Sequence, residues 1–170
     1  LDPVALETAL MQTWSDENTF AQSIEERRDG ASPFTFLEGP PTANGKPGIH
    51  HVISRLFKDL VCRWKTMEGH IVERKAGWDT HGLPVEIEVQ KQLDLMSNEA
   101  IEAYGMEAFN QKCKESVWTY EQAWREMTER MGFWVDMDDP YVTLHDEFIE
   151  SAWWSLKQMF DKGLLFRGHK

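Results

Sequence analysis

Cysteine and unbroken apolar runs are both scarce in this sequence, and each shortage excludes a class of protein. The 170 residues contain two cysteines, Cys62 and Cys113, which form no CxxC pair. Neither a disulfide framework nor a zinc site of common spacing is therefore predicted, and we expect both thiols to be buried. No apolar run approaches the roughly 18 residues that a membrane-spanning helix needs. We therefore expect a soluble globular protein without a membrane partner.

Positive charge is also in short supply. Lys and Arg number 18 against 29 Asp and Glu, which gives a net charge of −11. Binding of nucleic acid by neutralisation of phosphates alone is therefore disfavoured, and any RNA partner must be held mainly by something outside this chain. The N-terminus is acidic and amphipathic, whereas a signal peptide has a positive end and a solid apolar stretch. A cytoplasmic location is expected.

Apolar residues are abundant enough for a core. They make up 41% of the chain, with eight tryptophans and nine phenylalanines, which predicts one domain with room for an appendage. Asp2 followed by Pro3 is typical of a helix start, and the next apolar residues share one helical face: Leu6, Leu10 and Trp14. We predict a packing helix here, within a helical arm that covers residues 1–30.

A strand, a helix and a second strand follow and define the fold class. Residues 34–37 predict a short central strand, and residues 70–76 a second strand. Between them, an apolar stripe with helical period runs from Ile49 to the turn at Gly69 and should face the core. It comprises Val52, Ile53, Leu56, Phe57, Leu60, Val61 and Trp64. Because such βαβ units are nearly always right-handed and parallel, residues 31–95 are predicted to form an α/β fold with a parallel sheet.

Helices dominate the prediction for residues 96–170. Before them, residues 85–93 fit both a helix and an extended run, and both remain open. The last helix is predicted to begin at a cap formed by Thr143 with Asp146, and residues 164–168 to begin a strand. Three further helix ends are predicted from glycine: Gly105, Gly132 and Gly163.

A loop rich in glycine and proline, EGPPTANGKPGIHHV at residues 38–52, joins the first strand to the helix. Backbone N–H groups and the positive end of a helix meet there, which is typical of a phosphate site. The loop is not a P-loop, because there is one residue too many between Gly39 and Gly45. Moreover, Lys46 is followed by Pro47, where a P-loop needs a hydroxyl for magnesium. A nucleotide is the predicted ligand, and a P-loop hydrolase is the disfavoured alternative.

Two adjacent histidines, His50 and His51, end this loop. Neighbours on a helix point about 100° apart, so they cannot chelate one metal as an HExxH pair does. No Cys or His nearby in the sequence completes a tetrahedral set. No metal site is predicted.

These motifs carry a family resemblance. The GPPTANG loop, the histidine-bearing helix start and the second loop GWDTHGLPVE resemble the first half of the catalytic domain of class I aminoacyl-tRNA synthetases. Among these, the resemblance is to the isoleucyl enzymes. Valyl enzymes have PPPNVTG-like and GTDHAG-like loops, and leucyl enzymes PYPSG-like and GWDAFGLP-like loops, so both remain as alternatives. The resemblance runs over nearly the whole chain.

The resemblance implies a fold, a reaction and a set of site residues. The fold would be the first half of a Rossmann-like nucleotide-binding domain. The reaction would be ATP-dependent activation of isoleucine to the adenylate, with Mg²⁺, and transfer to tRNA(Ile) by an enzyme that is monomeric at full length. Gly48, His50 and His51 would be catalytic. ATP would be bound by Thr42, Asn44, Gly48, His50 and His51, and the amino acid by Gly39, Pro40, Trp78, Asp79 and His81.

The helix start departs from the family. Its signature there is HxGH, but Gly48 and His50 have changed places, while His51 is where the signature has it. This arrangement resembles that of a second type of isoleucyl enzyme associated with resistance to mupirocin, an inhibitor of the adenylate site. The alternatives are a damaged site and a site in which Gly48 leaves room for the His50 ring or the backbone to move. Our hypothesis is the second, with activity retained and the adenine and phosphate side of the pocket reshaped.

The KMSKS signature of the family's second half is absent from this sequence. We therefore expect the chain to hold half of an active site, to come from a longer polypeptide, and to have negligible activation activity alone. A non-catalytic nucleotide-binding or assembly fragment is the alternative function.

Overall fold

The structure, a computed structural model, describes residues 2–42 and 44–169. Its elements in chain order are α1 (Pro3–Asp16), α2 (Thr19–Glu25), α3 (Ile49–Met67), β1 (Lys75–Trp78), α4 (Leu83–Leu93), α5 (Asn98–Tyr104), α6 (Met106–Arg130), β2 (Asp136–Val142) and α7 (Asp146–Asp161). The chain divides into two compact units. The first unit comprises the residues up to Glu38, Lys46–Lys75 and Gln122–Asp138. The second comprises Gly39–Gly45, Ala76–Glu121 and the residues from Asp139 onward.

The N-terminal arm contains two helices where one was predicted. The carboxylate of Asp2 caps α1 by accepting a hydrogen bond from the backbone N–H of Val4 at 3.0 Å. The left-handed backbone of Asn18, with φ of 50°, separates α1 from α2. Only part of the apolar face that was predicted to pack in fact does so: Leu6 and Leu10 are exposed. Trp14, in contrast, packs edge-on against Trp134 at 5.2 Å between ring centroids.

Helix α3 confirms the predicted helix, but the face predicted to be buried is the exposed one. Gly69, with φ of 94°, follows its end as expected. Six residues of the apolar stripe are between 42% and 63% exposed: Ile53, Leu56, Phe57, Leu60, Val61 and Trp64. The buried residues of the helix are Arg55, Asp59, Cys62 and Thr66. Cys62 is 1% exposed, which confirms that this thiol is buried, and burial raises its pKa.

The buried polar face of α3 has ion-pair and hydrogen-bond partners. Asp59 accepts hydrogen bonds from Nε of Arg63 at 2.6 Å and from the backbone N–H of Trp134 at 3.2 Å. It also pairs with Arg74, whose side chain has no exposed surface. Arg55 donates to the hydroxyl of Thr128 at 2.6 Å. A buried charge without these partners would be costly, so these contacts are what allow the first unit to cover the polar face of the helix.

The first predicted strand is wrong in its extent. Residues 34–37 do not form a strand; instead, Pro33 forms an isolated parallel bridge with Ile71. Both hydrogen bonds of this bridge are made, since the N–H of Ile71 donates to the carbonyl of Ser32 at 3.2 Å and the N–H of Phe34 donates to the carbonyl of Ile71 at 2.9 Å, but the pairing extends no further. The second predicted strand, residues 70–76, is displaced to β1 at Lys75–Trp78.

The two strands β1 and β2 pair in a two-stranded sheet. In the first unit, the N–H of Asp136 donates to the carbonyl of Arg74 at 2.7 Å, and in the second, the N–H of Thr143 donates to Trp78 at 3.1 Å. From the first of these bonds to the second, the residue numbers rise in both strands, so the two strands run parallel. A parallel sheet beside helices confirms the predicted α/β class.

In the second unit, residues 85–93 are helical and belong to α4. Its core is formed by Val85 and Val117 with Cys113, and by Val89, Ile101 and Phe109. Cys113 is half-buried, so the expectation that both thiols are buried is wrong for this residue, although burial still raises the pKa of its thiol. All three predicted glycine stops are confirmed, with φ of 103° at Gly105, 68° at Gly132 and 69° at Gly163.

The predicted start of α7 and the strand after it are wrong. Its N-cap residue is His145, and the hydroxyl of Thr143 instead contacts Thr80 and His81. Residues 164–168 form no strand. Of the helices within residues 2–42 and 44–169, none combines the length and apolar content that a bilayer crossing requires.

Candidate functional site

The start of α3 fixes the protonation of His51. The backbone N–H of Gly48 donates to Nδ1 of His51 at 2.9 Å, and the N–H of His51 donates back to the carbonyl of Gly48 at 3.0 Å. Because a backbone N–H can only donate, Nδ1 must carry its lone pair. The proton of the neutral ring is therefore on Nε2, and His51 offers a hydrogen-bond donor at the positive end of the helix.

The surroundings of His51 keep it neutral. Its ring contacts the buried Trp124 edge-on, with 4.5 Å between centroids, and the His50 ring at 3.8 Å. Burial lowers the pKa of His51, and the charges of His50 and Arg55 lower it further. At neutral pH the uncharged ring can thus act as a hydrogen-bond donor through Nε2.

Gly48 provides space for His50. A Cβ atom at position 48 would lie 3.0 Å from Cε1 and 3.2 Å from Nδ1 of the His50 ring, which is closer than ordinary van der Waals contact. The φ of Gly48 is −116°, which any residue adopts, so the requirement is for room and not for a special backbone. His50 itself is exposed.

In the second unit, the glycine-rich loop is tied to the second loop at Asp79. Thr42 forms an isolated parallel bridge with Asp79, and the N–H of Asp79 donates to the carbonyl of Pro41 at 3.0 Å. The hydroxyl of Thr42 donates to Oδ2 of Asp79 at 3.1 Å. Thr42 thereby orients the carboxylate, a contact that the family resemblance did not imply. The N–H of Asn44 donates to the carbonyl of Thr42 at 2.9 Å and tightens the same turn.

Trp78 and His81 flank Asp79 and differ in exposure. Trp78 is 2% exposed, and its indole N–H has no hydrogen-bond partner among the residues that the structure describes. His81 is exposed, with Nδ1 2.8 Å from the hydroxyl of Thr143. Within the loop, Gly39 is exposed and Pro40 half-buried.

The expected site residues fall into two groups. Gly48, His50 and His51 lie in the first unit. The second unit contains Gly39, Pro40, Thr42, Asn44, Trp78, Asp79 and His81. No three His, Cys, Asp or Glu side chains in residues 2–42 and 44–169 are grouped as metal ligands.

Sequence reasoning missed Trp124 and misassigned Thr143. Trp124 lies in the long helix α6, and nothing in its sequence spacing links it to a histidine 73 positions earlier. For Thr143, the nearby Asp146 suggested a cap. Its actual partner, Thr80, is 63 positions away, so no local pattern could have indicated it.

The family model for class I tRNA synthetases (I, L, M and V) matches residues 9–170. This chain belongs to the class I tRNA synthetases. It is 55% identical over 167 residues to the isoleucine–tRNA ligase of Clostridium kluyveri, and 57% identical over 167 residues to isoleucine–tRNA ligase 2 of Bacillus cereus. Each match covers 98% of this chain and 16% of the relative. The chain thus spans about one sixth of the length of these relatives.

A solved synthetase has the same fold. A LeuRS of Agrobacterium radiobacter K84, in a ternary complex with tRNA and LeuAMS, superposes with a TM-score of 0.62 at 19% sequence identity. The match covers 95% of this chain and 18% of that chain. Together with the family match, this confirms the predicted fold class, a partial Rossmann-like α/β domain.

Proposed function

We propose that this chain supplies part of the active site for the activation of isoleucine by ATP, ahead of transfer to tRNA(Ile). The observation that carries the proposal is Asp79, a half-buried carboxylate oriented by Thr42 at the end of β1. With Oδ2 accepting from that hydroxyl, Oδ1 is the acceptor for the ammonium group of an amino acid. The identity to isoleucine–tRNA ligases supports isoleucine as that amino acid.

The reaction needs positioning and charge stabilisation rather than a covalent enzyme intermediate. A carboxylate oxygen of isoleucine forms a bond to the α-phosphorus of ATP, the bond to the bridging oxygen breaks, and pyrophosphate leaves. Neutral His51 donates from Nε2 to a phosphate oxygen without giving up its proton, and N–H groups at the positive end of α3 assist. ATP enters with Mg²⁺ as a substrate.

The proposal also covers the binding of tRNA, the cellular location, the oligomeric state and the domain division. Transfer RNA is bound mainly by parts of the full-length polypeptide outside this acidic chain. The full-length enzyme is a cytoplasmic monomer. The division into residues 1–30, 31–95 and 96–170 also stays a proposal.

Substitution Asp79→Asn in the full-length polypeptide tests the proposal. We expect the KM for isoleucine in pyrophosphate exchange to rise about 10- to 100-fold, because one charge-assisted hydrogen bond is lost. The KM for ATP should stay within about twofold, since ATP does not contact this carboxylate in the proposal.

Glu102→Gln is the control, because it neutralises an exposed carboxylate of the same unit. An unchanged KM for isoleucine in Asp79→Asn would contradict the assignment of Asp79. If the parent exchanges faster with valine or leucine than with isoleucine, one of those amino acids is the substrate. If it exchanges with none of them, the non-catalytic alternative is correct.

We further propose that the GxHH arrangement is a working variant of the family signature, supported by the space that Gly48 leaves for the His50 ring. The double substitution Gly48→His with His50→Gly restores HxGH in the full-length polypeptide. We expect affinity for mupirocin to rise about tenfold or more, which corresponds to the gain of roughly one hydrogen bond or relief of one close contact.

Gly48→Ala is the matched control, since it fills the same space without adding a histidine. It should impair activation without restoring inhibitor affinity. If the double variant binds mupirocin within about twofold of the parent, the exchanged residues do not determine resistance.

A further inference from the structure

Four hydrogen-bonding groups in the second unit lead to His81. The backbone N–H of Leu144 donates to Oγ1 of Thr80 at 2.9 Å, and the N–H of Thr80 donates to Oγ1 of Thr143 at 3.0 Å. The two hydroxyl oxygens are 3.1 Å apart, and Oγ1 of Thr143 is 2.8 Å from Nδ1 of His81. Thr80 and Thr143 are 3% and 7% exposed, so their hydroxyl protons depend on these partners.

The direction of the bonds follows from counting protons. If Nδ1 of His81 carried a proton, it would donate to Thr143, and Thr143 would donate to Thr80. The hydroxyl proton of Thr80 would then have no acceptor among its contacts in the described residues. In the opposite direction, Thr80 donates to Thr143 and Thr143 donates to Nδ1, so every hydroxyl proton is used.

We propose that Thr143 is a positioning residue that holds His81 as the tautomer with its proton on Nε2. The exposed part of the His81 ring then offers an N–H donor, two residues after the carboxylate of Asp79. An acceptor followed by a donor matches the ammonium and carboxylate of an α-amino acid. The second loop thus binds both the ammonium and the carboxylate group of the substrate. This inference rests on the proposed amino-acid site.

The reactivity of His81 toward diethylpyrocarbonate tests the tautomer. This reagent acylates an unprotonated ring nitrogen, and mass spectrometry of the His81 peptide from the full-length polypeptide gives the rate. In the parent, the lone pair at Nδ1 is occupied by Thr143. We expect Thr143→Val to raise the rate about fivefold, the order expected for loss of one hydrogen bond, and Thr143→Ser to restore the parent rate.

Thr80→Val is the matched control. It removes a buried hydroxyl with its bonds to Thr143 and to the N–H of Leu144, but leaves the Thr143 proton with His81 as its acceptor. The rate in this variant should stay within about twofold of the parent. Equal acceleration in both valine variants would mean that the loop has only loosened, and no acceleration in Thr143→Val would mean that Thr143 does not set the tautomer; either result overturns the inference.

The KM for isoleucine separates the tautomer from its use. It should rise about threefold or more in Thr143→Val, and not in Thr80→Val, with the KM for ATP unchanged in both. A changed acylation rate with an unchanged KM for isoleucine would overturn the role of His81 as a substrate donor. Failure of the proposed function is distinct, because it appears as a parent enzyme without isoleucine-dependent exchange, whatever the acylation rates.

Discussion

Replacing Asp59 with asparagine is expected to destabilise the first unit by about 3–5 kcal/mol, because a buried ion pair is broken from one side. Asp59 accepts from Arg63 and from the N–H of Trp134, and pairs with Arg74, whose side chain has no exposed surface. Asparagine has nearly the same shape but leaves the buried guanidinium of Arg74 without a counter-charge. Hydrogen exchange of the α3 amides in the full-length polypeptide measures the change as a loss of protection of about a hundredfold or more.

A second Asp–basic pair in this chain provides the control. Asp161 accepts from Lys157 four residues away at 2.6 Å, the same sequence spacing and distance as Asp59 with Arg63. These side chains are 50% and 68% exposed, however, so Asp161→Asn should cost less than about 1 kcal/mol. If the two variants lose protection equally in their own helices, burial of Arg74 is not what makes Asp59 important.

The buried polar contacts of α3 show what the sequence could not reveal about this helix. The period of its apolar residues predicted a helix, and Gly69 its end, because both depend on local geometry. Which face is buried depends on partners far along the chain, such as Thr128 for Arg55 and Arg74 for Asp59. An apolar stripe indicates only that a face is suited to burial. In this chain, about one sixth of the length of its relatives, the charged face is the one that is covered.

For the candidate site, too, the sequence indicated the residues but not their hydrogen bonds. The loop motifs indicated a phosphate or nucleotide ligand, and the family resemblance named the residues. The orientation of Asp79 by Thr42 depends on a bridge between residues 37 positions apart. Likewise, the proton position on His51 depends on which atom of Gly48 faces the ring. Motifs specify residue types, whereas hydrogen-bond direction requires the folded backbone.

Replacing His51 with leucine in the full-length polypeptide is expected to lower the rate of isoleucine-dependent pyrophosphate exchange by about 10²–10³-fold, the usual cost of removing one donor to a developing charge. His51→Gln should lose less, because its amide N–H can replace the donor at Nε2. Thermal unfolding of the same variants is the control, since a loss of activity with an unchanged midpoint is a loss of transition-state stabilisation.

The pH dependence gives the same residue a second test. Burial, then His50 and Arg55, lower the pKa of His51, so the neutral donor persists as the pH falls through about 6.5, the usual pKa of histidine. Below its lowered pKa, a proton enters Nδ1 and opposes the N–H of Gly48. Since the unfolded chain takes up this proton at higher pH than the folded one, stability declines as the pH falls from about 6.5 to the lowered pKa, whereas activity declines only as the pH falls through the lowered pKa itself.

The glutamine of His51→Gln cannot be protonated in this pH range. The rate of pyrophosphate exchange of this variant should therefore fall less at acid pH than that of the parent. Identical acid limbs in the two enzymes would assign that decline to another group. A leucine variant within about threefold of the parent would show that the donor at Nε2 does not act on the reacting phosphate. The start of α3 would then bind ATP, if at all, through its backbone N–H groups alone.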